Sequence, residues 1–191
     1  ARGYGDSQGR FEDFTVDDQV EDLLAARQEL ERRSGVRCQG LSGLRLGATV
    51  AAAAAARAGL DVALLLWEPV VRGERYLDDL LRGVMAKEMA NTGRAPRTRD
   101  ELRACLAAGG EVQVEGHALR QAALQAIARL DLTALPAPPR GPALVVQLSA
   151  RQEPAVRRDL AALAAALGGA PVERVRAPPP WQQNDAWAPA P

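Results

Sequence analysis

The sequence predicts an α/β fold on a parallel sheet, and three features of it point there. Apolar runs of strand length occur at residues 60–67 and 143–149. They alternate with Ala- and Leu-rich stretches of helical character at 48–58 and 153–167. A turn dense in glycine, residues 40–47, leads straight into the first of those helices. A continuous apolar run suits a parallel strand buried on both faces.

The order of elements follows from local signals. Residues 1–14 are rich in glycine and read as a turn. Thr15 and Asp18 have the spacing of a capping box, and Val16, Val20, Leu23, Leu24 and Leu30 then share one helical face until Gly35. A strand is expected at 36–41, the tight turn at 40–47, a buried alanine helix at 48–58 and a second strand at 60–67, which together make one βαβ unit. Amphipathic helices are expected at 74–91, 98–108 and 118–130, with a short strand at 111–115 between the last two. This stretch separates two core strands by more than a normal crossover, so residues 72–135 read as an inserted helical cap. Residues 1–71 and 136–191 then form the core, with strands at 143–149 and 172–175 and a Pro-rich tail from 177. The chain opens on Ala1 within a loop, so earlier strands are expected upstream.

Composition removes several functional classes. Basic and acidic residues number 24 each, so no net charge draws the chain to nucleic acid or anionic lipid. Cys38, Cys105 and His117, the only residues of their types, do not make a zinc site, and no cofactor or metal is implied. No apolar run reaches the roughly 20 residues of a membrane span, and a cytoplasmic protein is expected.

The stretch that carries chemistry is Gly43-Leu44-Arg45-Leu46-Gly47. It has the frame of G-x-S-x-G, the strand–turn–helix that presents a nucleophile in α/β-hydrolases, with Arg45 in place of the serine. Three segments extend the likeness: Arg2-Gly3-Tyr4-Gly5-Asp6-Ser7, the elbow with Ala48, and Leu65-Leu66-Trp67-Glu68-Pro69-Val70-Val71. Together they resemble the exosortase A system-associated hydrolase, type 2. That resemblance implies an α/β-hydrolase sheet whose first strands lie upstream, and a place beside exosortase and exopolysaccharide proteins.

A triad is not readily assembled. In this fold the order is nucleophile, acid, histidine, with the histidine after the last strand. His117 comes before the strand at 143–149, and none follows residue 175. Glu153 and Glu68 are the candidate acids. Arg45 could bind an anion at the helix N-terminus, or pair internally with Glu68 or Asp6, and adjacent parallel strands favour Glu68. Gly43, Arg45, Gly47 and Glu68 are thus the candidate binding set.

Bland roles are expected elsewhere. Ser42 should lie on or beside the strand, Ser7 in a turn, Cys38 on a buried strand, and Cys105 on a cap helix. His117 should be a surface or capping residue, Trp67 core, and Tyr76, Met85 and Met89 cap core, while Trp181 and Trp187 should pack on the body. Two functions stay open: an ester or amide hydrolase of atypical mechanism, and an inactive accessory protein binding a small anionic or acyl ligand. A nucleotide-binding Rossmann module fits less well, because residues 40–47 lack G-x-G-x-x-G.

Overall fold

The structure is a computed structural model that describes residues 2–3, 5–93, 97–114, 116–152 and 155–178. The chain divides into two compact units, one of Ala1–Cys38 with Val70–Leu135, the other of Gln39–Pro69 with Pro136–Pro191.

The second unit is a parallel sheet. Strands β1 (Gly40–Leu44), β2 (Ala63–Trp67), β5 (Ala143–Ser149) and β6 (Val172–Arg176) lie in the order β1-β2-β5-β6. Helix α2 (Leu46–Arg57) makes the crossover from β1 to β2, and α6 (Arg158–Ala166) the one from β5 to β6. Register aligns Gly43, Leu66 and Val145 across the sheet, with Gln147 next on that face of β5. Leu66, Val145 and Gln147 are buried. A helix of alanine can approach a sheet this closely because its side chains are short. Ala48, Ala52, Ala54 and Ala55 are accordingly sealed from solvent.

The expected two-faced burial of β2 is only half met. Leu64 and Leu66 are buried, whereas Ala63 is exposed and Leu65 and Trp67 are half-buried. Both α2, at Gly43, and the chain entering α6, at Gln147, meet the same face of the sheet. The first strand also begins later than expected. The Cys38 N–H donates to the Glu31 carboxylate and so closes the loop after α1, and the ladder starts at the Gln39 carbonyl, which accepts from Ala63 N–H. Val36 is exposed and Cys38 only half-buried, so neither is the core strand residue its sequence suggests.

The first unit is mainly helical: α1 (Val16–Ser34), α3 (Gly73–Thr92), α4 (Arg99–Ala107), α5 (Gln121–Ala128) and the hairpin of β3 (Val112–Val114) and β4 (His117–Leu119). Thr15 caps α1 and Thr98 caps α4, each in a reciprocal capping box, with Asp18 and Glu101. The Thr15 hydroxyl and N–H hold the Asp18 carboxyl below its ordinary pKa. Residues 118–119, expected to open a helix, instead pair across the hairpin as part of β4, because Gly116 (φ 89°) allows the reversal. Residues 2–38 were expected with the sheet. They group with the inserted segment because the Phe11 ring lies 4.5 Å from His117 and Arg120 reaches Asp13 at 3.4 Å. Leu77, Leu81, Leu102, Leu106 and Leu124 fill this core. Tyr76 and Met85 are half-buried, and Met89 is exposed rather than core.

The two ends of the segment Val70–Leu135 are laced together. Gly73 N–H donates to the Leu130 carbonyl at 2.8 Å and Leu132 N–H to the Val71 carbonyl at 2.9 Å. A Cβ on Gly73 would lie 1.6 Å from the Ile127 carbonyl oxygen, whereas one on Gly83 in the middle of α3 would meet nothing within 4 Å. Two alanine variants therefore have opposite expected signs. Gly73→Ala should lower unfolding free energy by about 2 kcal/mol or more through overpacking, and Gly83→Ala should raise it by up to ~1 kcal/mol through helix propensity. Urea denaturation measures both, and equal effects would contradict the packing described.

Candidate functional site

The sheet turns into α2 at a single residue. Arg45 has φ 54° and ψ −125°, and serves as the N-cap of α2. A side chain other than glycine rarely adopts such a backbone, at a cost of about 1–3 kcal/mol. Two hydrogen-bond sets impose it. Arg45 N–H donates to the Trp67 carbonyl at 2.9 Å, ending the ladder with β2. The Arg45 carbonyl already accepts from Ala48 N–H at 3.1 Å and Thr49 N–H at 3.3 Å, beginning the helix. The chain must therefore pass from strand to helix with no connecting loop.

Gly43 makes that turn possible. A Cβ there would lie 2.4 Å from the Gly47 carbonyl carbon and oxygen and 2.5 Å from Ala48 N. Gly47 differs: a Cβ on it would meet nothing within 4 Å. The frame thus needs one glycine for clearance, not two. Ser42 lies inside β1, three residues before the corner, and is exposed.

A second bent residue follows β2. Glu68 has φ 45° and is 1% exposed. Its N–H donates to the Val146 carbonyl at 2.8 Å. Its carboxylate accepts from Leu148 N–H at 2.6 Å and from the Arg157 guanidinium at 2.5 Å. Arg157 also grips Asp159, at 3.1 and 3.2 Å. Burial works against the Arg157 charge, but Asp159 and Glu68 outweigh it and hold the guanidinium above its ordinary pKa. The side chain of Gln147 donates to the Ala155 carbonyl and accepts from Arg157 N–H, fixing the start of α6.

Glu68 was expected to pair with Arg45; the contacts seen on its carboxylate are those of Leu148 N–H and Arg157. Both oxygens of Glu68 are engaged by β5 and the residue preceding α6, because β5 lies on the other side of β2 from β1. Arg157 was not foreseen: it lies 89 residues from Glu68 in the chain, and no local pattern marks it. Of the other candidates, His117 is on β4 with its ring over Phe11, Cys105 is on α4 with its thiol 3.9 Å from the Glu111 carbonyl oxygen, and Ser7 is exposed. Glu153, Trp181 and Trp187 lie outside the described residues.

Solved structures share the overall course of the chain. Est1E of Butyrivibrio proteoclasticus with ferulic acid bound superposes with a TM-score of 0.60 at 19% identity, over 91% of this chain and 64% of that one. The fold is that of the α/β-hydrolases. A protein of Agrobacterium vitis assigned to the hydrolases gives a TM-score of 0.59 at 18% identity, again over 91% and 64%. An esterase of Pyrococcus furiosus gives 0.52 at 14% identity, over 91% and 57%. The chain thus spans less than two thirds of the length of these hydrolases. No protein family recognised by sequence matches it, and no curated protein does. The corner between β1 and α2 in this chain is Arg45. Among the described residues, no helix is long and apolar enough to cross a membrane.

The two elbow glycines should separate experimentally. Gly43→Ala forces β1 from α2 and should lower unfolding free energy by about 1–3 kcal/mol, while Gly47→Ala should stay within ~1 kcal/mol of the parent. A tolerated alanine at 43, read by denaturant titration, would refute the close approach.

Proposed function

We propose that this chain is a hydrolase-fold protein that binds a small anionic or acyl ligand at its elbow without cleaving it. One observation supports the reading: Arg45 turns the chain from β1 into α2 at φ 54°, the kind of strand–helix corner at which hydrolases present a nucleophile. A guanidinium stays protonated at physiological pH and has no lone pair free to attack a carbonyl. It does have the planar fork that grips a carboxylate, and at the N-terminus of α2 the helix dipole adds to its charge. The supply of bases agrees. The chain has one histidine, His117 on β4, and residues 177–191 contain none.

Est1E holds ferulic acid, and an aryl carboxylate of that kind is a reasonable first ligand for this chain. The resemblance to the exosortase A system-associated hydrolase suggests a role beside exopolysaccharide enzymes in the cytoplasm. A second reading, an ester or amide hydrolase of atypical mechanism, draws support from the esterases among the structural neighbours.

Two assays separate these readings. Fluorophosphonate labelling should stay at background. Calorimetric titration with ferulate should give binding that falls at least tenfold in Arg45→Gln, the loss of about 1.4 kcal/mol expected for one charge-assisted contact. Arg45→Gly should also lose binding while gaining roughly 1 kcal/mol of stability, because glycine tolerates this backbone. Covalent labelling of any serine, abolished by its alanine variant, would establish the hydrolase instead.

A further inference from the structure

Among the described residues, the two non-glycine residues of positive φ, Arg45 and Glu68, are joined through one peptide group. The peptide between Trp67 and Glu68 is held on both sides. Its carbonyl accepts from Arg45 N–H at 2.9 Å, and its N–H donates to the Val146 carbonyl at 2.8 Å. The plane of that peptide turns with φ of Glu68. A residue at φ 45° relaxes toward the ordinary region unless its surroundings prevent it. Here the surroundings act on the side chain: Leu148 N–H at 2.6 Å on one carboxylate oxygen and Arg157 at 2.5 Å on the other. Burial of Glu68 leaves the carboxylate no solvent to turn to.

We propose that Glu68, clamped by Arg157, is the positioning residue for Arg45. It acts through the backbone, by fixing the carbonyl on which the elbow N–H ends. The functional consequence rests on the anion-binding reading of the elbow; the structural consequence does not. The cost of breaking the clamp should therefore be local to the corner. A brace that merely held β5 to α6 would leave Arg45 untouched.

The test uses the ¹⁵N-labelled chain and three variants. Glu68→Gln keeps an acceptor for Leu148 N–H and removes the charge facing Arg157. Glu68→Gln with Arg157→Gln removes both charges, so that no unpaired guanidinium can unfold the protein. Arg157→Lys keeps a cation opposite Glu68. In the first two, the Arg45 amide resonance should move and its hydrogen exchange should accelerate at least tenfold, with Ala52 and Ala54 amides in α2 unchanged. Arg157→Lys should return the Arg45 amide close to the parent. Ferulate affinity should fall about tenfold with the displaced amide. An Arg45 amide unchanged in both glutamine variants, or one that accelerates only together with the whole of α2, overturns the proposal. Failure of the parent to bind ferulate defeats the anion-binding reading alone, since the amide measurement still decides the positioning role.

Discussion

The close approach of β1 and α2 at Gly43 is the constraint on which the rest of the sheet unit depends. With no Cβ at this position, the strand backbone can come up against the Gly47 carbonyl and Ala48 N–H. That contact leaves no length for a loop, so a single residue must turn the chain, and it must do so at positive φ. Everything downstream follows from the same geometry. An alanine-rich helix suits so close an approach, and Leu64 and Leu66 are buried. The turn faces the C-terminal ends of the strands, where open α/β sheets place their ligands.

Glu68 extends that constraint across the sheet. Burying a carboxylate is costly unless its charge and lone pairs are met, and here both oxygens have donors. One donor is a backbone N–H of β5 and the other is the residue that caps α6, so the ion pair fastens three elements at one end of the sheet. Arg157 remains partly exposed, which softens the desolvation cost on its side of the pair. Its second partner, Asp159, keeps the guanidinium oriented. The arrangement is a scaffold for the corner.

Much of this was legible in the sequence where the signal is local. The strand at Ala143–Ser149 is continuous and apolar, and its limits are those expected. The capping boxes of Thr15 and Thr98 fix helix starts within a residue or two. The elbow was visible because G-x-x-x-G between two apolar runs has a steric reason to exist. What sequence could not supply was pairing at a distance. Glu68 and Arg157 meet only because strand order puts β5 beside β2, and that order is not written in either residue's neighbourhood. The shifted start of β1 has a similar cause: the Glu31 carboxylate, seven residues away, takes the Cys38 N–H that a longer strand would have used. The late start of α5 reflects a competing hairpin, which Gly116 makes available and periodicity alone does not weigh.

Strain separates the two readings of Arg45 more sharply than its charge does. A residue of this size at φ 54° costs energy that glycine would avoid, in a segment already rich in glycine. If the corner served only to connect β1 with α2, a glycine would do so at lower cost. An arginine there has to be accounted for by what its side chain does. The nucleophiles of the hydrolases stand at the same strained corner because the geometry lifts one side chain above the sheet and toward the helix N-terminus. A guanidinium in that place gains the same presentation and the same field, but offers donors where the enzyme would offer an attacking oxygen. The corner between β1 and α2 thus carries its strain on an arginine, and the proposed recognition of an anion is one use of that placement.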